Sequence, residues 1–341
     1  MTKARELAEL GAVYDSGALS NRNLIINGAM QVAQRGTDAK TGHATDLYGT
    51  DRFRAIENHT GSMSSQQVAD APVGFYYSNK ITVTGTDSSL GSTEYGRQLT
   101  SIEGLNMAHL NWGTANAKTV TLSFYVKSSL TGAFYINVFN SATNRSFVAG
   151  YTIDAANTWE RKSIKITGDT SGTWLTTNGA GAYIAWSLGA GSTYQTSTLN
   201  SWAGAFDMAG SDQVNIFATN SATWQLTGVQ MELGTEATPF EHRSYGDELR
   251  RCQRYCVDLT PTSATAQPYL PQTAVGASAT VAIAQFAFPV TMRAVPTVTL
   301  SGTAGDYFLY DGTTYTATAF AANGICPTGG GVNFTVSSGL S

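Results

Sequence analysis

The sequence predicts an all-β protein: a jelly-roll β-sandwich with a short N-terminal helix, a connecting helix and a small C-terminal β domain. Three observations support this fold class. Charged residues make up only 13 % of the 341 positions, whereas they make up about 25 % of typical soluble domains. Thr, Ser, Asn and Gly take their place, and Thr suits a pleated sheet. Short segments of alternating apolar and hydroxyl residues recur along the chain, with turn-forming residues between them.

The chain divides into four predicted segments. These are an N-terminal peptide over 1–21, the sandwich over 22–243, the connecting helix over 244–261 and the C-terminal β domain over 262–341. Residues 3–10 predict an amphipathic helix that Thr2 caps and Gly11 ends. Helices this short are marginal in water, so the peptide is either a frayed tail or a docking peptide for a neighbouring protein. In the docking interpretation the anchoring side chains are Leu7, Leu10, Val13 and Tyr14.

Alternation with a period of two residues begins near residue 23. It is clearest over 119–127, where Val120, Leu122, Phe124 and Val126 alternate with polar residues. Further strands are predicted over 23–32, 51–57, 75–85, 133–140, 145–153, 159–167, 182–188, 213–219 and 223–233. Many short strands separated by turns predict a sandwich or jelly roll and argue against βαβ units.

The last of these strands contains a change of phase. Trp224 and Leu226 share one parity, whereas Val229 and Met231 share the other. Gly228 lies at the change, so we predict a β-bulge there that keeps both sets directed inward. A strand with an uninterrupted register would send one of the two sets to the other face.

The connecting helix begins with a capping signal. Ser244 and Asp247 have the spacing of a capping box, and Pro261 predicts a stop. An apolar stripe follows the cap and consists of Leu249, Cys252 and Cys256. We interpret the two cysteines as small buried hydrophobic residues, because no further pair of His or Cys lies nearby to complete a metal site.

The C-terminal segment is rich in Gly, Ala and Thr. Alternating runs predict strands over 279–290, 296–301, 306–318 and 332–337. The predicted core is small and consists of Phe286, Phe288, Val290, Val298, Leu300, Phe308 and Phe334. Because a domain of this size buries little apolar surface, we expect it to be more stable within a homo-oligomer.

Composition also bears on partners and location. A formal net charge of −4 disfavours nucleic acid as a partner, because phosphate neutralisation needs clustered Lys and Arg. No apolar run reaches the roughly 20 residues that span a bilayer, so no membrane insertion is expected. The N-terminus lacks the apolar region of a secretory signal, so we expect synthesis and retention in a cytoplasm.

The sequence carries no catalytic or metal-binding pattern. His43, His59, His109 and His242 are scattered, and none has the spacing of paired metal ligands. Glycoside hydrolysis needs two carboxylates about 5–9 Å apart, and the sequence alone does not pair them. We therefore expect no enzymatic activity, no catalytic residue, no metal site and no cofactor.

Aromatic residues in the polar, Gly-rich stretch 168–212 are the candidates for sugar binding. The C–H-rich face of a pyranose ring fits an aromatic plane, and amide side chains match its hydroxyls as donors and acceptors. The candidates are Trp174, Trp202, Tyr194 and Asn200. Subunit contact is the alternative, since Trp and Tyr also anchor protein interfaces. Trp186 alternates with Ile184 and Leu188 and is predicted to lie in the core.

Several blocks of sequence carry a family resemblance. NLIINGAMQVAQRG at 23–36 and TDRFRA at 50–55 resemble the opening strands of carbohydrate-binding-module-like jelly rolls in phage tail-fibre and virion structural proteins. IEGLNMAHLNWGTANAKTVTLSFYVKSS at 102–129 is similar to their middle segment. QLTGVQMELGTEATPFEHRSYGDELRRCQRYC at 225–256 is similar to their closing strand and exit helix. FAFPVTMRAVPTVTLSG at 286–302 resembles the C-terminal domain that often follows.

The resemblance covers most of residues 22–302 and implies a non-enzymatic virion protein, assembled in the host cytoplasm. It implies other virion proteins as partners, a closed homo-oligomer with a trimer favoured, and a face for host-surface glycans. The first hypothesis is a fibre-like appendage or adaptor that the N-terminal peptide anchors to the particle. Two alternatives stay open: a capsid decoration or cement protein on the head lattice, and a carbohydrate-binding module. A structural calcium ion is typical of related sandwiches, but no D-x-D cluster identifies its site here.

Overall fold

A computed structural model of the chain describes Lys3 and residues 21–42, 46–258, 274–278, 280–299, 308–310 and 314–336. The described residues form three antiparallel sheets and few helices, which confirms the all-β class. The chain falls into two compact units, residues 1–248 and 249–341. Apart from Lys3, the expected N-terminal helix lies outside the described residues, as do the anchoring side chains Leu7, Leu10, Val13 and Tyr14.

The described residues of the first unit form thirteen strands and short helical turns. In chain order the strands are β1 Lys40–Gly42, β2 Leu47–Thr50, β3 Phe53–Asn58, β4 Ser62–Val68, β5 Ser78–Gly85, β6 Tyr95–Glu103, β7 Val120–Ser128, β8 Gly132–Phe139, β9 Ser146–Ile153, β10 Glu160–Ile166, β11 Ala180–Ala190, β12 Trp202–Ala203 and β13 Thr223–Leu233. The helical turns are α1 Gly104–Met107 and the 3₁₀ turns Ala108–Leu110, Ser192–Tyr194 and Ile216–Ala218.

Two sheets enclose one core. The six-stranded sheet has the order β1-β4-β5-β13-β7-β10, and the seven-stranded sheet has the order β12-β9-β8-β11-β6-β3-β2. The largest fully buried side chains come from both sheets and include Trp186 and Trp224, whose ring centroids lie 6.5 Å apart. The alternation in β7 places Leu122 and Phe124 in this core. The predicted β-sandwich and the predicted core position of Trp186 are therefore confirmed.

The predicted bulge in β13 is also confirmed. The pairing of β13 with β7 shifts register between Thr227 and Gln230. Gly228 has a φ of 62°, a left-handed conformation that glycine adopts without a Cβ penalty. Leu226 is at an even position and Val229 at an odd one, so a regular strand would direct them to opposite faces. With the shift, both are fully buried in the same core cluster.

Three predicted strands are corrected. Residues 296–299, the described part of the predicted strand 296–301, form no strand. Residues 23–32 form no strand, because the side chain of Asn27 binds the backbone of its own loop: its Nδ2 donates to Val32 O at 2.9 Å, and its Oδ1 accepts from Val32 N. The run 213–219 contains the 3₁₀ turn Ile216–Ala218 instead of a strand. The sequence pattern also missed several strands that lie in the sheets: the short strands β1, β2 and β12 and the longer strands β4 and β6.

The outer face of the seven-stranded sheet is largely covered. In β8, residues of both faces are buried, from Phe134 to Phe139. A covering segment, residues 192–213, lies on this face, and its Met208 is fully buried against Tyr135 of β8. This segment determines the geometry of the candidate site described below.

The connecting helix is α2, Tyr245–Gln253. Ser244 Oγ accepts a hydrogen bond from Asp247 N at 3.2 Å and donates to its carboxylate at 2.6 Å, so the predicted cap is confirmed. The helix ends at Gln253 and does not continue to Pro261, which lies outside the described residues. Among the helices that the structure describes, none combines the length and apolar character needed to cross a bilayer.

The second unit contains a five-stranded antiparallel sheet. Its strands are β14 Ala274–Ser278, β15 Val281–Ala287, β16 Phe308–Tyr310, β17 Thr314–Cys326 and β18 Gly329–Val336, in the order β14-β15-β18-β17-β16. Its buried cluster is small: Ala317, Val332 and Phe334, with partly buried Phe286 and Phe320 beside it. Of the predicted core residues, Phe286 and Phe334 belong to this cluster. Phe288, Val290 and Val298 are partly buried outside it, and the side chains of Leu300 and Phe308 lie outside the described residues.

Candidate functional site

Two of the predicted sugar-stacking residues belong to a tryptophan cluster at one edge of the core. Trp174 and Trp202 lie 5.1 Å apart in an edge-to-face arrangement, and both contact Trp112. Trp174 is only 7 % exposed, and its Nε1 donates to Asp169 Oδ2 at 3.3 Å. Its ring therefore has little surface left for a pyranose.

Trp202 and Asn200 hold the covering segment on the sandwich. Trp202 is partly buried, and its Nε1 donates to Thr167 O at 2.6 Å. The backbone N–H of exposed Asn200 donates to Val148 O at 2.8 Å, and the residue has a left-handed φ of 58°. These contacts give both residues a positioning role in the structure, and a contact with sugar stays a prediction for them.

Tyr194 lies in a different place, on the outer face of the seven-stranded sheet. Its ring packs edge-to-face against Tyr95 of β6 at 5.3 Å and against Phe206 of the covering segment at 5.9 Å. The four predicted sugar-binding residues thus do not form one platform. Only Tyr194 takes part in the aromatic surface described next.

The centre of this surface is an arginine that the sequence pattern did not single out. In β6, Gln98 points into the core and accepts a hydrogen bond from Asn79 Nδ2 at 3.0 Å, so its neighbour Arg97 points to the outer face. The guanidinium carbon of Arg97 lies 5.0 Å from the ring centroid of Tyr95, 5.3 Å from that of Phe139 and 5.4 Å from that of Phe206. These distances are typical of cation–π contacts.

Arg97 is buried and has unused hydrogen-bond donors. The residue is 9 % exposed, and its Nε and Nη1 have no hydrogen-bond partner within the described part of the chain. Burial lowers the pKa of the guanidinium, but arginine stays charged at neutral pH because its ordinary pKa lies far above 7. A buried polar group without a partner is costly, so the donors of Arg97 mark a place where a ligand can supply acceptors.

Partly exposed rings surround the arginine. Tyr183 of β11 stacks on Phe139 with ring centroids 5.0 Å apart and an interplanar angle of 19°. The rings of Tyr183, Tyr194, Tyr95 and Phe206 all retain partial solvent exposure. We call this set the arginine–aromatic surface: Arg97, Tyr95, Phe139, Tyr183, Tyr194 and Phe206.

Polar groups lie beside this surface where the covering segment meets the sheet. Asn137 Nδ2 donates to Asp207 O at 3.1 Å, whereas Asn137 Oδ1 is buried and accepts no hydrogen bond from any described residue. Burial raises the pKa of Asp207, and a hydrogen bond with Thr196 partly offsets this increase. Ser187 Oγ donates to Gln213 Oε1 at 2.9 Å. Flat apolar rings and amide or guanidinium donors thus occur side by side.

This combination fits the chemistry of carbohydrate recognition. Aromatic faces accept the C–H-rich face of a pyranose, and guanidinium and amide groups bind hydroxyl oxygens. Among the described residues, no group of three or more His, Cys, Asp or Glu is placed to hold a metal ion. The stretch 168–212 indicated Tyr194 by its aromatic content, but Arg97 lies in a strand whose pattern gave no signal.

Comparison with known proteins gives no family assignment. No family model matches the chain, and no curated protein matches its sequence. Among solved structures, the enzymatically active domain of tailspike protein 4 of bacteriophage CBA120 aligns with a TM-score of 0.36 and 11 % identity, over 62 % of this chain and 22 % of that chain. A family 11 carbohydrate-binding module from Clostridium thermocellum, in complex with a β-1,3-1,4-mixed-linked tetrasaccharide, aligns with a TM-score of 0.31 and 13 % identity, over 60 % of this chain and 99 % of that chain. At these scores and identities we draw no functional conclusion from the similarities.

Proposed function

We propose that the chain is a non-enzymatic, glycan-binding structural protein of a phage particle, a fibre-like appendage whose sandwich contacts sugars on the host surface. The sugar-binding site in this proposal is the arginine–aromatic surface. The observation that carries it is Arg97, which lies among three aromatic rings with two buried, unpartnered nitrogens.

The chemistry of the surface favours a sugar over a peptide or an apolar ligand. The partly exposed residues Tyr183, Tyr194 and Tyr95 contribute hydroxyls to the site in addition to their rings. A pyranose offers both an apolar C–H face and several hydroxyl oxygens, so it uses the rings and the donors at once. An apolar ligand would leave the guanidinium donors of Arg97 without acceptors, which is unfavourable for buried groups.

The virion role rests on other features of the chain. Sequence blocks within 22–302 resemble those of phage tail-fibre and virion structural proteins, in the same order. The low charged fraction of 13 % and the small core of the second unit both favour assembly with other chains. In this proposal the partners are other virion proteins and further copies of this chain, with a trimer favoured, and the protein is located in the virion.

Glycan binding is tested with the full chain on a broad panel of bacterial surface polysaccharides and neutral plant oligosaccharides. We expect binding to at least one, measured by isothermal titration calorimetry. Tyr183→Ala removes a partly exposed ring of the site and should weaken binding roughly tenfold, the loss of an aromatic contact of about 1–1.5 kcal/mol. Tyr76→Ala is the matched control, because Tyr76 is 71 % exposed and belongs to the loop before β5.

Two results would refute the proposal that the arginine–aromatic surface binds glycans. One is the absence of binding to every glycan of the panel. The other is binding that Tyr183→Ala leaves unchanged or that Tyr76→Ala weakens to the same degree, because either would place the sugar elsewhere on the protein.

The virion role is tested on intact particles by electron cryo-microscopy and copy counting. A fibre-like appendage predicts a small number of copies, confined to one appendage. Hundreds of copies on the head lattice would support the capsid decoration instead, and absence from purified particles would reject both.

A further inference from the structure

We propose that the arginine–aromatic surface selects sugars that carry a carboxylate, and that Arg97 binds this group. The inference rests on the proposed glycan-binding function and deepens it, because it names the ligand class. Its basis is the charge of Arg97, which no acidic side chain neutralises among the residues that the structure describes.

Two partly buried arginines of the sandwich, Arg145 and Arg243, have the carboxylate partner that Arg97 lacks among the described residues. Arg145 binds Asp169 through two hydrogen bonds, of 2.8 Å from Nε and 2.6 Å from Nη2. Arg243 binds Glu241 at 3.0 Å and lies 3.5 Å from Glu248. In both cases burial of the cation is offset by a carboxylate, as expected for buried charges.

At Arg97 the corresponding place is occupied by aromatic rings. The groups that influence its charge most are Tyr95, Tyr183 and Tyr194, whose phenols are neutral at pH 7, and the cation Arg54 on the neighbouring strand. Arg54 has its own partner, since its Nη1 lies 2.5 Å from Asp46 Oδ2. Among the described residues, the charge of Arg97 thus has no acidic partner, and an uncompensated buried cation attracts an anion.

The acids of the covering segment do not fill this role. The carboxylate of Asp212 accepts a hydrogen bond from the hydroxyl of Tyr135. Burial raises the pKa of Asp207, while its backbone oxygen accepts from Asn137. Neither acid forms an ion pair with Arg97 in the described part of the chain, so the anion has to come from a ligand.

A carboxylate fits this arrangement better than a neutral hydroxyl. The guanidinium is planar and presents parallel N–H donors that match the two oxygens of a carboxylate. In a uronic acid the carboxylate is attached to the pyranose ring, so the ring C–H face can contact the surrounding aromatic rings at the same time. Partial burial strengthens such a charged contact, because water screens it less than at an exposed site.

The competing interpretation is a purely structural one. Arg97 is on β6 and Phe206 is on the covering segment, so their contact at 5.4 Å also holds the segment on the sheet. A structural brace predicts that replacement of Arg97 lowers stability. It predicts no preference of the wild-type protein for acidic over neutral sugars.

The test uses the full chain and matched pairs of ligands. Oligosaccharides of galacturonic, glucuronic and mannuronic acid are each compared with their carboxyl-reduced, neutral counterparts by isothermal titration calorimetry. We expect at least one acidic member to bind about tenfold or more tightly than its neutral counterpart. The preference should decrease with added salt.

Three variants test whether Arg97 causes the preference for acidic sugars. Arg97→Met removes the charge but keeps the length of the side chain, and it should abolish the preference, so that the acidic and the neutral member of each pair bind with affinities within about twofold of each other. Arg97→Lys keeps the charge but lacks the planar set of parallel donors, and it should retain part of the preference for acidic sugars. Arg161→Met is the control, because Arg161 is exposed on β10 of the other sheet, and it should have no effect.

The outcomes separate this inference from the proposed function. If the wild-type protein binds neutral glycans but shows no preference for any acidic member, the carboxylate inference is wrong and the glycan-binding proposal stands. If it binds no glycan at all, both are wrong. If Arg97→Met does not fold, the wild-type comparison of acidic and neutral partners together with Arg97→Lys still decides the question.

Discussion

A buried glutamate in the sandwich gives a quantitative prediction about pH. Glu57 lies in β3 with its side chain directed inward and fully buried, and its Oε2 is 3.6 Å from His59 Nε2. Gly61 N donates to His59 Nδ1 at 3.0 Å, so Nε2 is the ring nitrogen that faces Glu57. Burial raises the pKa of Glu57 to about 7, although a backbone hydrogen bond from Met63 acts in the opposite direction.

The raised pKa makes the sandwich less stable as the pH increases. The folded protein holds the Glu57 proton more tightly than the unfolded chain does, so stability decreases as the pH rises from the unfolded pKa of 4.5 to the folded pKa of about 7. The shift corresponds to about 3 kcal/mol in the free energy of unfolding. About 2.5 kcal/mol of this should be lost between about pH 5 and about pH 8.

Glu57→Gln removes the titrating proton and should remove this dependence. We expect the variant to match the wild-type protein closely near pH 5 and to exceed its free energy of unfolding by about 2–3 kcal/mol near pH 8. Urea unfolding followed by tryptophan fluorescence measures this in the first unit alone, because all six tryptophans lie between Trp112 and Trp224. Glu236→Gln, at an exposed position, is the control. Equal pH dependence of Glu57→Gln and the wild-type protein over this range would refute the reasoning.

Two further predictions use the same assay. Gly228→Ala should destabilise the sandwich by about 1–2 kcal/mol from its left-handed backbone alone, and by more because the added Cβ would lie 2.8 Å from Phe75 Cζ. The control is Gly246→Ala, whose Cβ would meet no atom within 4 Å and which should be neutral or slightly stabilising. An equal loss of stability in both variants would contradict the bulge argument. Asp169→Ala leaves the partly buried Arg145 without its carboxylate partner and should lower the free energy of unfolding by about 3 kcal/mol. The two side chains are only 2 % and 18 % exposed, so solvent does not fully screen the pair. A loss below about 0.5 kcal/mol would instead show that the pair behaves like a weak surface ion pair.

Local sequence signals predicted the parts of the fold in which side chains of one character share one face. β7 follows the alternation of Val120 and Leu122 with hydroxyl residues, and both side chains are buried. The bulge at Gly228 and the cap at Ser244 were predictable because each needs a particular residue at a particular position. In these places the local preference and the tertiary structure agree.

The strands that the sequence did not predict carry polar residues in the interior. In β4, Ser65 is fully buried and its Oγ lies 3.2 Å from Asn79 Oδ1, and Asn79 in turn binds Gln98 of the opposite sheet. These hydrogen bonds satisfy polar groups that a hydrophobicity pattern assigns to solvent. A pattern of two residue classes therefore cannot distinguish such a strand from a loop.

The candidate site was predictable only in part, for a related reason. Tyr194 was indicated because aromatic residues in a polar stretch are unusual, and the structure places it in the aromatic surface. Trp174 gave the same signal, but it packs in the tryptophan cluster. Arg97 gave none, since a lone arginine in a strand is expected to face solvent.

The covering segment explains both the missed strand and the site. It covers part of the outer face of β6, so this strand lacks the apolar and polar alternation that marks a sheet with one solvated face. If it only shielded an apolar face, an aliphatic residue at position 97 would be the more stable choice, because it needs no hydrogen-bond partner. The chain instead places a guanidinium between Tyr95 and Phe206, with donors left unused. The stability that this arrangement costs is the physical reason for the proposal that Arg97 binds a ligand.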